Sequence, residues 1–403
     1  MKQWKKELPL QHRKNYDTYY TGIAISAILA IIMAAPVMFV LTGILSAFVI
    51  FNKLYDRFAG EGLELLNPKR TIRMFPGDQA DLSLTFKNNS SVPILNGKIN
   101  FSCGSVVKPL EKGLESDRNG RYRYPLHLLK KGESTIRIPF HATSRGTVNI
   151  QHVTYEFPHL VNFHTIFMKF TPWMRTEFIV YPQPKTVHGL EEANYLAEGN
   201  QTAVFSPFED VLTPTGTRDY VSSDPFHRIH WKASAKQQQL QTKVLEKKVD
   251  YTWAILLNTT ETTRLGNTFV STKLEDLLSY ATYLCHVAAK KGYASELHLS
   301  SRRPGKVPYF HLPAGEGNQH LKHSLELLAR VRNDHAYMNF KEMLHRFDHH
   351  IHKPMSIIIM GEWTEETSFY AAKWKAKGMR VFHVIPKEDH AVMTLGRQKE
   401  VMG

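Results

Sequence analysis

The chain has 403 residues, 42% hydrophobic and 22% charged, a globular composition that excludes wholesale disorder and coiled coil. At about 150 residues per domain, that length suggests a multidomain protein. Its 51 Lys and Arg against 37 Asp and Glu leave a formal charge of +14, which suits an anionic partner: nucleic acid, a phosphorylated ligand or the inner membrane leaflet. The only two cysteines, Cys103 and Cys285, exclude a disulfide-stapled scaffold and cysteine zinc clusters.

Residues 1–18 are basic, with Lys2, Lys5, Lys6, Arg13 and Lys14. Between Asp17 and Lys53 stand 35 uncharged positions. A charge at mid-bilayer costs about 2.5–3.5 kcal/mol, so this gap reads as membrane. One helix of that length would run about 52 Å, whereas the hydrocarbon core is about 30 Å thick. A break falls at Ala34-Ala35-Pro36, since proline lacks an N–H and disfavours helix before it. The expectation is a transmembrane hairpin over 19–54, with helices at Tyr19–Ala35 and Val37–Leu54. Basic residues flank both outer ends (Lys53, Arg57, Lys69, Arg70 and Arg73 on the far side) and none lies in the turn. Both ends, and hence the large domains, are therefore expected on the cytoplasmic side of the membrane. The run is too long for a signal peptide.

Residues 62–182 read as a β-sandwich. Ala80-Asp81-Leu82-Ser83-Leu84-Thr85-Phe86 alternates apolar and polar, with a turn signal before it at Phe75-Pro76-Gly77-Asp78. The alternation resumes at Lys98–Phe101, Ser134–Phe140, Val148–Ile150 and Glu177–Tyr181, as in an antiparallel immunoglobulin-like sandwich. No catalytic constellation occurs there, so a spacer or docking role is expected.

Residues 249–403 alternate strand and helix. Tyr251–Asn258 and Met355–Met360 are continuous apolar runs, which mark strands buried on both faces. Lys273–Lys290, Gln319–Val331 and Glu365–Lys377 carry helical periodicity, with Gly292 as a C-cap. Ser295–Ser300, Val307–Leu312 and Val381–Ile385 read as further strands. The pattern predicts an α/β domain with a mostly parallel sheet, ligands binding beyond the carboxyl ends of the strands at Asn258–Thr262 and Gly361–Trp363.

Between these halves, in 183–248, stands the string Arg218-Asp219-Tyr220, Asp224-Pro225, then Arg228-Ile229-His230-Trp231-Lys232-Ala233-Ser234-Ala235. It resembles the signature of the bacterial domain-of-unknown-function family 58: Arg-Glu-Tyr, a Gly-Asp pair, then Arg-x-Ile-x-Trp-x-x-x-Ala-Arg. Asp219 stands where Glu is usual, Ser223 where Gly is usual, and Lys236 where Arg is usual. The membrane hairpin and β-rich region also match that family's layout. The resemblance implies a C-terminal domain like the von Willebrand factor type A fold. Metal-binding members of that fold hold magnesium on Asp-x-Ser-x-Ser after the first strand. Here Asn258, Thr260 and Thr262 occupy those positions, and Gly361 stands where a later Asp is expected, so the site reads as degenerate and no cofactor is expected. The family further resembles partners of MoxR-type AAA+ ATPases, which implies an adaptor role with such an ATPase and other membrane proteins.

Physically, Arg218, Arg228 and Lys232 supply donors and Asp219 and Asp224 acceptors, for either an anion cluster or an internal ion-pair network, with Trp231 free to pack under an Arg. His345 and His349 share a helical spacing that can chelate zinc, within the cluster His345, His349, His350 and His352. Lys243, Lys247 and Lys248 around Glu246 read as a solvated face, and nucleic-acid binding has only net charge behind it. The expected function is a membrane-bound, non-enzymatic adaptor. The alternatives are a metal-dependent hydrolase built on Thr260, Thr262 and Glu261, with or without the histidine cluster, or a binder of anionic lipid or cell-wall precursor.

Overall fold

The computed structural model describes residues 3–7, 10–33, 36–110, 115–116, 120–161, 164–190, 209–222, 224–247, 252–305, 307–334, 336–351 and 355–396. Lys2, Ala34-Ala35, Ser223, Lys248, Tyr251, His352 and Lys353-Pro354 lie outside the described residues, as do the side chains of Arg13, Lys14, Glu246 and Lys247. The chain divides into two compact units, Met1–Gln183 and Pro184–Gly403.

The first unit runs β1 (Trp4–Glu7), α1 (Leu10–Met33), α2 (Pro36–Phe58), β2 (Leu63–Leu65), β3 (Thr71–Met74), β4 (Gln79–Asn88), β5 (Lys98–Ser102), β6 (Val107–Pro109), β7 (Glu115–Ser116), β8 (Arg121–Pro125), β9 (Glu133–Ala142), β10 (Gly146–Asn149), β11 (Gln151–Pro158), β12 (Thr165–Phe170) and β13 (Glu177–Val180). The sheets are β1-β12-β11-β5-β8-β7, β2-β4-β9-β6 and β10-β13-β3. Alternation puts Leu82, Leu84 and Phe86 of β4 inside, and all three sheets feed one apolar core that includes Trp4, Phe101, Phe140, Tyr155 and Phe178.

Helices α1 and α2 are long and apolar enough to cross a membrane. Only 6% and 11% of their apolar windows are buried, so they are not core helices of this unit. Pro36 occupies the first helical position of α2, where its missing N–H costs nothing. Small polar groups face each other between the helices: the Thr42 hydroxyl donates to Ser26 Oγ at 3.1 Å. The outer ends extend further than expected. The residues read as a basic tail contain β1, which pairs antiparallel with β12, and α1 begins at Leu10. The reason is Trp4, which is buried with its ring 5.1 Å from that of Phe170. Lys6 bonds the carbonyl oxygens of Asp56 and Ala59 at the foot of α2, and the Tyr16 hydroxyl donates to Asp56 Oδ2 at 2.6 Å.

The second unit contains β14 (Val187–His188), β15 (Glu209–Asp219), α3 (Trp231–Gln237), β16 (Gln241–Lys247), β17 (Thr252–Leu257), β18 (Thr260–Thr262), β19 (Thr268–Val270), α4 (Leu274–Lys291), β20 (Ala294–Arg302), β21 (Tyr309–Gly315), α5 (Gly317–Arg330), α6 (Phe340–His350), β22 (Ser356–Met360), α7 (Glu365–Ala376), β23 (Arg380–Pro386) and β24 (Ala391–Leu395). Its main sheet is ordered β14-β24-β23-β22-β17-β20-β21, parallel through β23, β22, β17 and β20, with antiparallel pairs β23–β24 and β20–β21. Both faces are covered. Ile255, Leu257 and Ile358 pack with Leu277 and Leu284 of α4 and Leu328 of α5. Ala254, Leu256, Ile357 and Ile359 pack with Leu344 and Phe347 of α6 and Trp374 of α7. That two-sided burial explains the unbroken apolar runs.

Candidate functional site

The signature residues form a strand pair closed by a short helix. β15 and β16 are antiparallel, with Arg218 opposite Thr242 and Asp219 opposite Gln241. The connection carries a 3-10 turn at Phe226–Arg228 and then α3, capped by His230, whose Nδ1 accepts from the Ala233 N–H at 3.1 Å. Ile229 is buried and bridges to Thr242, which anchors the connection to β16. The Ser234 hydroxyl oxygen accepts the Gln241 N–H at 2.8 Å, pinning α3 to the start of that strand.

The charges close on one another. Arg218 Nη2 donates to Asp224 Oδ1 at 2.6 Å, and Arg218 Nη1 to the Asp219 carbonyl at 3.1 Å. The other Asp224 oxygen accepts from the Val221 N–H and the Thr242 hydroxyl, each at 3.1 Å. Asp219 Oδ1 accepts from Gln241 Nε2 at 2.6 Å. The Arg218 guanidinium, followed by the Val221 N–H, holds the Asp224 carboxyl below the usual aspartate range. Arg218, Asp219 and Asp224 thus brace the segment instead of presenting an open anion cluster. Pro225 leads into the 3-10 turn, accepting the Arg228 N–H at 3.0 Å, and the Tyr220 N–H bonds Leu240 O at 2.9 Å. Lys232 and Ala235 lie on the exposed side of α3.

Trp231 does not pack under an arginine. It is 67% exposed, and cation–ring contacts among the described residues fall on Tyr20, Phe58, Tyr293 and Phe310. Phe226 is 75% exposed. Two large aromatic side chains thus stand exposed beside the Arg218–Asp224 pair.

At the carboxyl end of β17, Asn258 and Thr260 are buried whereas Thr262 is exposed. The Asn258 side-chain oxygen accepts from the Thr260 N–H at 3.2 Å and its hydroxyl at 2.9 Å, and Asn258 Nδ2 donates to the Glu362 carbonyl at 3.1 Å. Glu362 Oε2 accepts the Thr262 N–H at 2.8 Å, and Glu261 accepts the Ser271 hydroxyl. A hard divalent cation needs anionic oxygens. Here an uncharged amide holds the first position, and both nearby carboxylates are engaged by protein donors. The donor set does not fit magnesium. Gly361 has φ +100°, and a Cβ there would stand 2.3 Å from the Asn258 carbonyl oxygen. Glycine at this position thus serves the close approach of two strand ends.

The predicted histidine pair does sit on one helix. His345 and His349 are on α6 with ring centroids 4.6 Å apart, on its exposed side. His345 Nδ1 lies 3.2 Å from the Tyr370 hydroxyl. A different group was missed. Glu296, His298 and His311, from β20 and β21, bring their ligand atoms within 4.8 Å of one another. Each looks ordinary alone, and only the register of the two strands joins them.

Residues 216–398 match the family model described as "Protein of unknown function DUF58". The chain is also similar to the uncharacterized protein YeaD of Bacillus subtilis, 26% identical over 183 residues. That match covers 44% of this chain and 40% of the relative's length. Among solved structures, the native conformation of Escherichia coli alpha-2-macroglobulin is similar over 31% of this chain and 8% of its own, at 16% identity and a TM-score of 0.21. A chain of a type I cohesin–dockerin complex from Clostridium thermocellum is similar over 29% of this chain and 98% of its own, at 12% identity and a TM-score of 0.21. Likeness at such TM-scores carries no argument about function.

Proposed function

We propose that this protein is a membrane-anchored, non-enzymatic adaptor that works with a MoxR-type AAA+ ATPase in assembling membrane or envelope complexes. The observation that carries the reading is the signature segment itself. Arg218 pairs with Asp224, Asp219 is held by Gln241, and two large aromatics, Phe226 and Trp231, stand exposed beside them. Exposed aromatics cost hydration and repay it when a partner covers them. The ATPase as partner follows from the family resemblance. In the finer reading, the first unit is an immunoglobulin-like sandwich and the second a von Willebrand factor A-like fold with a degenerate ion site. Three sheets around one core and a parallel sheet covered on both faces support it.

The membrane reading rests on α1 and α2, apolar and largely uncovered. The strand before α1 and the strand after α2 both belong to the same β-rich unit. A spanning hairpin would then return to the side it left, and the basic flanks favour the cytoplasm.

The test is capture of the purified MoxR-type ATPase by the full chain in detergent, with ATP, with ADP and without nucleotide. Binding in at least one state, lost in the double variant Phe226→Ser/Trp231→Ser with an unchanged melting temperature, is the expected result. No ATPase captured in any state would overturn the reading.

A further inference from the structure

We propose that Glu296, His298 and His311 form a binding site for a divalent transition-metal ion of the zinc class on the β20–β21 strand pair. His298 and His311 are directly opposite in register. Glu296 precedes His298 by two residues on β20 and so projects from the same face. The three donors thus converge from two hydrogen-bonded strands, a rigid frame that holds ligand positions without a loop.

One donor pair has the spacing a small ion needs, and all three donors lie within 4.8 Å of one another. His298 Nε2 lies 3.4 Å from Glu296 Oε1. In a tetrahedron with bonds of about 2.0–2.1 Å, neighbouring donors are about 3.3–3.4 Å apart. The His298 and His311 rings have centroids 4.5 Å apart and an interplanar angle of 32°. The other His298 nitrogen, Nδ1, lies 3.3 Å from the Tyr309 hydroxyl, the kind of outer contact that fixes a ligating imidazole and leaves Nε2 for the metal. That Nε2 is buried, on a side chain only 4% exposed, and hydrogen-bonds to no described residue.

The chemistry selects the class of ion. Two borderline imidazole nitrogens beside one carboxylate suit zinc and its neighbours over magnesium or calcium, which prefer all-oxygen sites. The Phe347 ring of α6 lies 4.8 Å from that of His298 and covers the site. Three protein ligands leave a fourth position for water or a further donor. The rival account is a proton on His298 Nε2 shared with Glu296, which needs no metal.

The test uses the full chain in detergent, stripped with chelator and desalted. On adding cobalt(II), the expected result is a stoichiometric complex with the intense visible bands of low coordination, displaced by zinc. Zinc retained after desalting should be stoichiometric in the wild type and in His345→Ala/His349→Ala. It should bind about tenfold or more weakly in Glu296→Gln and in His311→Gln. Far-ultraviolet circular dichroism and melting of the metal-free variants check that they fold. His298→Asn, which keeps a polar group in the buried position, supplies a third ligand variant. No cobalt bands and no retained zinc in the wild type would overturn the site, leaving the proton-shared pair. Zinc held equally by the folded ligand variants, or lost with His345 and His349, would overturn it too.

Discussion

Gly361 and His311 show how single positions hold the second unit together. At Gly361 an added Cβ meets the Asn258 carbonyl oxygen at 2.3 Å, on a backbone with φ +100°. Gly361→Ala should therefore cost about 1–3 kcal/mol, read as a lower denaturant midpoint for the second unit. His311 has an imidazole pushed from 6.5 down to about 4, chiefly by burial. Its folded form resists the proton that the unfolded chain accepts. The stability it contributes in the metal-free protein is complete above about pH 6.5 and declines as the pH falls towards about 4. His311→Phe should flatten that part of the stability–pH curve, as measured by thermal melts in a buffer series. At the signature, Arg218→Gln removes the guanidinium that holds Asp224 low, so the Asp224 carboxyl should titrate nearer the ordinary aspartate range by carboxyl NMR.

Among the elements, β1 is the one on which the first unit's architecture turns. Trp4 is buried with rings of Phe170, Phe86 and Tyr155 at 5.1, 6.4 and 6.5 Å. Trp4→Ala should cost about 3–5 kcal/mol, visible as a loss of near-ultraviolet circular dichroism at lower temperature. A strand of four residues, Trp-Lys-Lys-Glu, carries too little periodicity to be read from sequence, and its basic residues disguised it as a membrane flank. The buried runs of β17 and β22 were legible because both faces are apolar, and α4 was legible from its spacing, ending at Gly292 with φ +70°. The short β18–β19 pair and the strand β24, which lies between β14 and β23, were not read, lacking either signal. The signature was recognisable as a motif, but its brace was not: whether Asp224 faces Arg218 or a ligand depends on a hairpin register that spacing does not encode. The same holds for Glu296, His298 and His311, which sequence reasoning passed over in favour of the helical pair His345 and His349.

For the molecule as a whole, the apolar hairpin and the exposed signature aromatics account for more than the net charge does. A surface of uncovered Ile, Leu, Val and Phe on α1 and α2 is unstable in water and stable in lipid. The chain should therefore fractionate with membranes after a high-salt wash, which strips proteins held by charge alone. The most direct measurement is the location of both units relative to the membrane. In a variant with Cys103 and Cys285 replaced, single cysteines are placed at Leu129 in the first unit and at Leu265 in the second, both exposed positions. Cells are then treated with a membrane-impermeant thiol reagent before and after lysis. Protection of both positions in intact cells, with labelling after lysis, is the predicted result and puts both units where a cytoplasmic ATPase can reach them. Labelling of either position in intact cells would contradict the hairpin and, with it, the adaptor reading.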